Sequence, residues 1–384
     1  MKFSKGHHLH LIDGSAFIFR AYHALPPLTR SSDGLPVGAV SGFCNMLFRY
    51  IQNNTGVDAA THAAVIFDHS GKSFRNDIYK DYKANRPPAP EDLVPQFPLT
   101  RDATKAFNIS CKEVEGFEAD DIIATLACRA REAGGRVTII SSDKDLMQLV
   151  GDGVEMFDAM KNRRINRDAV IEKFGVNPEL VVDVQALAGD SVDNVPGAPG
   201  IGVKTAAELI TVYGSLENLL DKAHEIKQPK RRETLINFEE QIRVSKQLVE
   251  LDCSMELDFS IEELVVSPPQ MDELVGFLQK MEFRTILKRV SEQFDVELAK
   301  LLPHKQNFHE DSEENNYGPV TSSNYETVRT VERLKEWIDI IRSYGYVAFD
   351  TETTGLDEMK AELVGVSLCV KPGNACYVPI GHKE

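Results

Sequence analysis

Carboxylate side chains are concentrated in one short part of the sequence, between residues 115 and 146. Three of them precede a stretch with helical apolar spacing over 122–133, and two follow a short buried strand predicted over 136–140. Acidic residues at the start of a helix also stabilise its dipole, so one or two of them would need no function. Five crowded like charges repel one another unless cations neutralise them, and oxygen ligands without histidine or cysteine favour Mg²⁺ or Mn²⁺. The sequence therefore predicts a metal site formed by Glu118, Asp120, Asp121, Asp143 and Asp145.

Two more predicted strands in the N-terminal part of the chain also lead into an aspartate. The apolar runs 9–12 and 63–67 end at Asp13 and Asp68, and a helix is predicted between them over 40–51. A single aspartate after a strand is a common turn residue. In open α/β sheets, however, binding sites form outside the carboxyl ends of the strands. The repeated pattern predicts an α/β domain whose site collects aspartates from several strands.

A second signal lies in the helical sequence that follows residue 168. Asp190 and Asp193 are three residues apart, so on a helical turn their carboxylates would face the same way. The turn 199–204 is rich in glycine and opens a helix predicted over 205–213. Such a turn can simply cap a helix, but its free backbone N–H groups can also bind a phosphate. Together with the neighbouring helices, it predicts a helix-hairpin-helix that holds a DNA backbone without reading its sequence.

A basic segment with interleaved aromatic residues covers 72–86 and is followed by a proline-rich stretch. Lys80, Lys83 and Arg86 repeat at helical spacing and would share one face of a helix. The segment could be a solvated helix that leads into a loop. Its composition also fits a mobile element that binds phosphates and stacks on exposed bases.

Composition limits the class of protein. The 384 residues are enough for two or three domains, and 42% hydrophobic with 27% charged residues is typical of a soluble globular protein. The sequence has no apolar run long enough to span a membrane and no recognisable signal peptide, so we expect a cytoplasmic protein. Its six cysteines form no C-x-x-C pair, which predicts reduced thiols. The net charge of −16 argues against nucleic-acid binding unless the carboxylates are confined to a metal site and a tail.

The chain is predicted to contain four parts. These are a catalytic domain over 1–167, a helical DNA-binding subdomain over 168–300, a flexible acidic linker over 301–325, and an incomplete domain over 326–384. The last part begins with a helix over 327–344 and contains strands predicted over 347–352, 363–370 and 375–380.

Several of these motifs occur together in one family. Residues 8 to about 295 resemble the 5′-nuclease (flap endonuclease-like) domain at the N-terminus of bacterial DNA polymerase I. The motifs that carry the resemblance are LIDGSAFIFRAYHAL, FRNDIYKDYKANRP, GFEADD, SSDKDLMQLV and GDSVDNVPGAPGIGVKTA. The later sequence VAFDTETTGL resembles the first motif of a DEDD-type 3′–5′ exonuclease. The resemblance implies a PIN-like α/β fold with a mostly parallel sheet and flanking helices, a helix-hairpin-helix subdomain and a truncated RNase H-like segment.

The resemblance also implies roles for individual residues. The metal ligands would be Asp13, Asp68, Glu118, Asp120, Asp121, Asp143, Asp145, Asp190 and Asp193. Lys83 and Arg86 would act at the scissile phosphate, from a basic segment that forms an arch over the site. The residues expected to contact DNA are Arg75, Lys80, Tyr82, Lys83, Arg86, Gly200, Gly202 and Lys204.

The activity implied is metal-dependent 5′–3′ exonuclease and flap endonuclease cleavage of DNA. It would use two Mg²⁺ or Mn²⁺ ions, with K⁺ at the helix-hairpin-helix, and a monomer would bind DNA at a 5′ flap, nick or junction. Two other functions stay open, namely a PIN-type endoribonuclease and a non-catalytic, structure-specific DNA-binding module. The helix-hairpin-helix argues against the endoribonuclease. The complete set of acidic residues argues against the non-catalytic module.

Overall fold

The computed structural model describes residues 2–295, 325–344, 347–355, 360–371 and 373–382. The chain forms two compact units, Met1–Leu302 and Pro303–Glu384. Apart from residue 325, the linker predicted over 301–325 lies outside the described residues.

The first unit contains a six-stranded sheet in the order β3-β2-β1-β4-β5-β6. Its strands are β1 (His8–Asp13), β2 (His62–Ile66), β3 (Ser110–Lys112), β4 (Arg136–Ile140), β5 (Val154–Asp158) and β6 (Arg163–Ile165). All neighbouring pairs are parallel except β5 and β6, which are antiparallel. The predicted mostly parallel α/β sheet is therefore confirmed, with β1 at its centre.

Helices cover both faces of the sheet. The helices of the first unit are α1 (Gly14–Ala24), α2 (Gly38–Asn53), α3 (Arg75–Ile78), α4 (Gln96–Ala106), α5 (Ala119–Glu132), α6 (Arg167–Phe174), α7 (Val181–Ala188), α8 (Val203–Tyr213), α9 (Leu216–Asp221), α10 (Pro229–Asn237), α11 (Glu239–Val249), α12 (Met271–Lys280) and α13 (Arg284–Phe294). Short 3-10 helices span Gly56–Asp58, Asp145–Leu149, Pro178–Leu180, Ala223–Glu225 and Ile261–Glu263.

Helix α5 forms where the apolar spacing predicts it. Glu118 and Asp121 form a capping box at its start, and Gly134 follows its end with a φ of 79°. The apolar side of the helix, including Ile122 and Leu126, is fully buried against the sheet. The capping box orients the acidic residues at the start of α5.

The core of the first unit lies on both faces of the sheet because side chains alternate along β1. Leu9 and Leu11 pack in the cluster that contains α5, whereas Ile12 packs with residues of α1 and α2 on the opposite face. The cluster around α5 continues without a break into the helices after residue 168. The two parts that the sequence separates at 167/168 thus belong to one compact unit.

Two helices, α12 and α13, end the described part of the first unit. The amphipathic pattern over 271–290 is divided between α12 and α13, and Glu282 between them has a φ of 61°. This left-handed residue separates the two helices.

The second unit contains a four-stranded sheet in the order β7-β10-β9-β8 beside one helix. Its elements are β7 (Tyr325–Thr327), α14 (Val331–Tyr344), β8 (Ala348–Thr353), β9 (Leu363–Lys371) and β10 (Asn374–Pro379). The predicted helix and the three predicted strands are confirmed. Trp337 is the largest side chain in its small core.

One expectation about the cysteines is wrong. The structure pairs Cys128 of α5 with Cys253 as a disulfide, with their Cα atoms 6.0 Å apart, whereas the sequence predicts reduced thiols. Their sequence separation of 125 kept this pair from being predicted from the sequence. Among the described residues, no helix has the length and apolarity that a membrane span requires.

Candidate metal and DNA-binding site

The carboxyl edge of the sheet carries the aspartates that the sequence places after the strands. Asp13 is the last residue of β1, and its carboxylate accepts hydrogen bonds from the Ala16 backbone N–H (2.9 Å) and the Ser141 hydroxyl (2.7 Å). Asp68 accepts hydrogen bonds from the Ser15 hydroxyl (2.6 Å) and the backbone N–H at the start of α5 (2.8 Å). Neighbouring hydroxyl and backbone groups therefore hold both carboxylates in place. The two serines escaped the sequence analysis, although each stands within two residues of a strand end.

The carboxylates influence one another strongly. Burial raises the pKa of Asp13 to about 6, and repulsion by Asp68 and Asp143 adds to this shift. The pKa of Asp120 is also raised, first by burial and then by the charges of Asp143, Asp13 and Asp68. These four side chains, delivered by β1, β2, β4 and α5, thus form one electrostatically coupled group.

A second group of carboxylates adjoins the first across a small cavity of about 20 Å³. Glu118, Asp120, Asp145, Asp190 and Asp193 all line it. Burial raises the pKa of Asp145 to about 6, and its carboxylate accepts a hydrogen bond from Gln185 of α7. Asp120 is therefore shared by both groups, which together include eight of the nine predicted ligands.

The spacing of Asp190 and Asp193 predicts a helical turn, but neither residue lies on a helix. They belong to a turn that is closed by paired hydrogen bonds between the backbones of Asp190 and Val195. The turn is anchored by two glycines that the sequence analysis missed, Gly189 and Gly197. A Cβ atom on Gly197 would lie 2.4 Å from the backbone nitrogen of Gly189, so this close approach requires glycine.

Cations pair with several of these carboxylates. Lys83 Nζ lies 2.8 Å from Glu118 Oε2, Arg86 binds Asp193 at 2.5 Å, and Lys144 binds Asp190 at 2.5 Å. Within the part of the chain that the structure describes, no three acidic, histidine or cysteine side chains already surround a common position for a metal ion. The donor set is the one that hard cations prefer, but these ion pairs must open before all of its oxygens can converge.

The basic segment does not form the helix that its spacing predicts. Only α3 is helical, and residues 80–85 form consecutive turns. Lys83 has a φ of 57°, and its backbone N–H donates to the carbonyl of Asp193 at 2.9 Å. Lys80, Lys83 and Arg86 therefore do not share a helix face. The helical spacing of these basic residues gave a wrong prediction because contacts with Asp193, a residue distant in sequence, fix the conformation of the segment.

Tyr82 of the same segment is buried rather than open to a base. Its side chain is enclosed in the core, and its hydroxyl lies 3.3 Å from Glu118 and 3.4 Å from Asp193. The ring therefore supports the wall of the acidic cavity, and the structure gives no support to its predicted stacking on DNA.

Arg75 and Asp121 are also removed from the predicted site by burial. Arg75 is 1% exposed and donates two hydrogen bonds to Asp121, at 2.6 and 2.8 Å. It also donates to the backbone carbonyls of Leu248 and Glu250, at 2.7 and 3.0 Å. Because both Asp121 oxygens are engaged and buried, the structure contradicts its prediction as a metal ligand and that of Arg75 as a DNA contact. The pair instead joins α3, α5 and the end of α11.

We expect the change Arg75→Met to destabilise the protein by about 3–5 kcal/mol, because it leaves the Asp121 carboxylate buried and unpaired. Urea unfolding followed by circular dichroism measures this change. Arg163→Met is the matched control, since it removes an exposed ion pair with Glu172 and should cost about 0–1 kcal/mol. Equal effects of the two changes would contradict the structural role of Arg75.

We expect Mg²⁺ to stabilise the protein at about pH 8 and hardly at all at about pH 5. The folded-state pKa values of Asp13 and Asp145 are raised to about 6. Without metal, the two carboxyls stabilise the folded protein when they are protonated. This contribution to the free energy of unfolding is fully present only below their unfolded pKa of about 4, and it is lost as the pH rises through about 6. At pH 8, a roughly hundredfold excess of Mg²⁺ over Kd should add about 3 kcal/mol, seen as a higher Tm. An equal shift in Tm at both pH values would argue against a carboxylate site.

The predicted helix-hairpin-helix has an open glycine turn. Gly200 has a φ of 77°, and Gly202 immediately precedes α8. A Cβ atom on either glycine would meet no other atom within 4 Å, so their backbones face open space. Lys204 in the first turn of α8 is exposed. The turn between α7 and α8 can therefore present backbone N–H groups and a positive charge to a phosphate.

Three known families match the chain. Residues 8–175 match the 5′-3′ exonuclease N-terminal resolvase-like domain, residues 176–272 match the 5′-3′ exonuclease C-terminal SAM fold, and residues 325–384 match a 3′-5′ exonuclease. Both nuclease matches of the first unit contain predicted ligands of the site described above.

Curated relatives agree with these matches. A DNA polymerase I of Rhizobium leguminosarum is 46% identical over 448 residues, covering 100% of this chain and 44% of the relative. A 5′-3′ exonuclease of Aquifex aeolicus is 39% identical over 286 residues, covering 74% of this chain and 96% of the relative. The chain thus spans less than half the length of the polymerase relative and nearly all of the exonuclease relative.

Solved structures share the fold of the first unit. The T5 D15 protein co-crystallised with metal ions has a TM-score of 0.53 at 22% identity, covering 74% of this chain and 98% of that protein. The T5 D15 flap endonuclease in complex with DNA and metal ions has a TM-score of 0.52 at 23% identity, and the match covers 75% of this chain and 100% of that protein. These likenesses support the PIN-like sheet followed by a helical subdomain.

Proposed function

Because the chain belongs to the 5′-3′ exonuclease family, we propose that its first unit hydrolyses DNA phosphodiesters at 5′ ends and flaps with two bound Mg²⁺ or Mn²⁺ ions. One observation carries this proposal. Carboxylates from β1, β2, β4, α5 and the turn at 190–193 meet in two adjoining groups that share Asp120. Such a concentration of negative charge, part of it buried, is costly unless cations bind there.

The proposed ligands are eight carboxylates. They are Asp13, Asp68, Glu118, Asp120, Asp143, Asp145, Asp190 and Asp193. When bound, two divalent ions activate water and stabilise the leaving oxygen of the phosphodiester. The chain's own task is to orient the carboxylates, and Ser15, Ser141 and Gln185 do so through the hydrogen bonds described above.

Lys83 and Arg86 are proposed to act on the scissile phosphate. Both now pair with site carboxylates, Lys83 with Glu118 and Arg86 with Asp193. Cations that neutralise these carboxylates would release the two side chains to a DNA phosphate at the same place. The segment would then place its positive charge where negative charge develops during hydrolysis.

Duplex binding is proposed to use surfaces outside the acidic site. Lys80 on the basic segment and Lys204 on α8 are both exposed, and the turn at Gly200 and Gly202 faces open space, where its backbone could approach a phosphate. We propose that a monomer in the cytoplasm binds the duplex in this way, with K⁺ at the glycine turn. This arrangement would allow a chain with a net charge of −16 to bind DNA, because exposed positive groups away from the acidic site would contact the phosphates.

We expect the protein to release a 5′-labelled flap from a DNA duplex in the presence of Mg²⁺ and not in EDTA. Gel analysis of the labelled product measures both the activity and the position of the cut. An RNA hairpin serves as the competing substrate, and its preferential cleavage would favour a PIN-type endoribonuclease. Tight binding of the flap without any cutting would instead identify a DNA-binding module.

A further inference from the structure

Cys128 and Cys253 lie at the junction between α5 and the segment 250–255. Their pairing joins the helix that presents Asp120 to a chain segment that follows α11. This disulfide closes a loop with a sequence separation of 125 residues, and the proposed hydrolysis makes no use of it. It therefore calls for a separate explanation.

The two sulfurs differ in access to solvent. Cys128 of α5 is nearly buried, with 9% of its surface exposed, whereas Cys253 is exposed. The guanidinium of Arg131 lies 3.8 Å from the Cys128 sulfur, and a nearby positive charge favours a thiolate. A reagent in solution can thus reach Cys253, and the Cys128 thiolate is placed to react next.

The surrounding contacts keep the two cysteines close even without a covalent bond. The Thr125 hydroxyl donates to the carbonyl of Asp252 at 2.7 Å, and the Asp252 backbone N–H donates to Asp121 at 3.1 Å. Arg129 donates to the carbonyl of Met255. Because these contacts flank Cys253 on both sides, opening the disulfide would leave both thiols within reach of each other.

We propose that Cys128 and Cys253 form a reversible thiol–disulfide pair that responds to low-molecular-weight disulfides, with Cys253 as the attacking thiol and Cys128 as the resolving thiol. In compartments that keep thiols reduced, disulfides are characteristically transient and redox-sensing. The pair fits that class because one of its sulfurs is accessible and its partner is held beside it by the fold.

The reaction consists of two exchange steps with a disulfide such as oxidised glutathione. The Cys253 thiolate first attacks one glutathione sulfur, which forms a mixed disulfide and releases one glutathione thiolate that takes up a proton. The Cys128 thiolate then attacks the Cys253 sulfur of the mixed disulfide and releases the second glutathione in the same way. Two protein thiols are thereby oxidised by two electrons, and one oxidised glutathione is reduced to two thiols.

The test is equilibration of the full chain with graded ratios of oxidised to reduced glutathione, followed by alkylation and peptide mass spectrometry. We expect a linked peptide containing Cys128 and Cys253 to grow with the oxidised fraction and to disappear when excess reduced glutathione is added. Cys253→Ser should abolish the linked peptide and leave Cys128 as a free thiol, which is alkylated once the protein is denatured. Cys111→Ser is the matched control, since it removes a partly exposed thiol elsewhere and should leave the linked peptide unchanged.

A second readout reports on the fold. The oxidised protein should have a Tm about 5 °C or more above that of the reduced protein, and Cys253→Ser should show no such difference. Alkylation of both cysteines at every glutathione ratio would overturn the proposal. A glutathione adduct that persists on Cys253 while Cys128 stays alkylatable would also overturn it, since no resolving step would occur. None of these measurements depends on nuclease activity.

Discussion

Asp120→Asn should lower Mg²⁺-dependent flap cleavage by about 1,000-fold or more, the largest effect expected of a single change in this protein. Asp120 lies in the first turn of α5 and belongs to both groups of carboxylates. Removing its charge should weaken the hold on both proposed ions, and a loss of about 4 kcal/mol of transition-state stabilisation corresponds to about 1,000-fold in rate. Single-turnover cleavage of a labelled flap at saturating protein measures the effect.

The change should not harm the fold. The pKa of Asp120 is raised by burial and by its acidic neighbours, so the neutral amide relieves repulsion and should keep or increase Tm without metal. Asp168→Asn is the matched control, because Asp168 is exposed and holds the equivalent second position of α6. It should cleave at the rate of the parent. Loss of activity in both variants, or in neither, would argue against the placement of the metal site around Asp120.

Lys83→Ala should lower the single-turnover rate by about 100-fold and change flap affinity far less. Lys83 is held beside Glu118 at the acidic cavity, where a phosphate would enter. The loss of one charged contact to a phosphate in the transition state costs about 100-fold in rate, whereas duplex binding rests on contacts elsewhere. Cleavage rates at saturating protein, combined with binding measured in Ca²⁺, separate the two effects.

The matched control for this variant is Lys80→Ala, which removes an exposed lysine from the same segment. It should weaken binding modestly, with a smaller dependence on salt, and keep the rate of cleavage at saturation. If Lys83→Ala cleaved at nearly the parental rate in a single turnover, Lys83 would have no role at the scissile phosphate.

The parts of the site that local sequence determines could be predicted. An apolar run that ends at Asp13 or Asp68 identifies both the strand and the edge at which its carboxylate lies. The first turn of α5 is equally local, since the capping residue and the apolar face stand next to each other in the sequence. These patterns were sufficient to predict the mostly parallel α/β fold.

The parts that depend on distant contacts could not be predicted. Arg75 looks like a member of a basic segment, but its acceptors include a carbonyl 173 residues further along the chain. Lys83 has helical spacing to its neighbours, yet a hydrogen bond to the backbone of Asp193 holds it in a left-handed conformation. In both cases a tertiary contact outweighs the local pattern.

The buried Arg75 has a consequence for how the protein can be divided. The two nuclease family regions meet between residues 175 and 176, yet Arg75 and Gln148 in the first region donate to backbone carbonyls at 248–250 in the second. Excising the first region at that border would strip these donors of their acceptors and expose the shared core. The two regions should therefore unfold in a single cooperative transition. The border between the two family regions is thus not a boundary between independently folding domains.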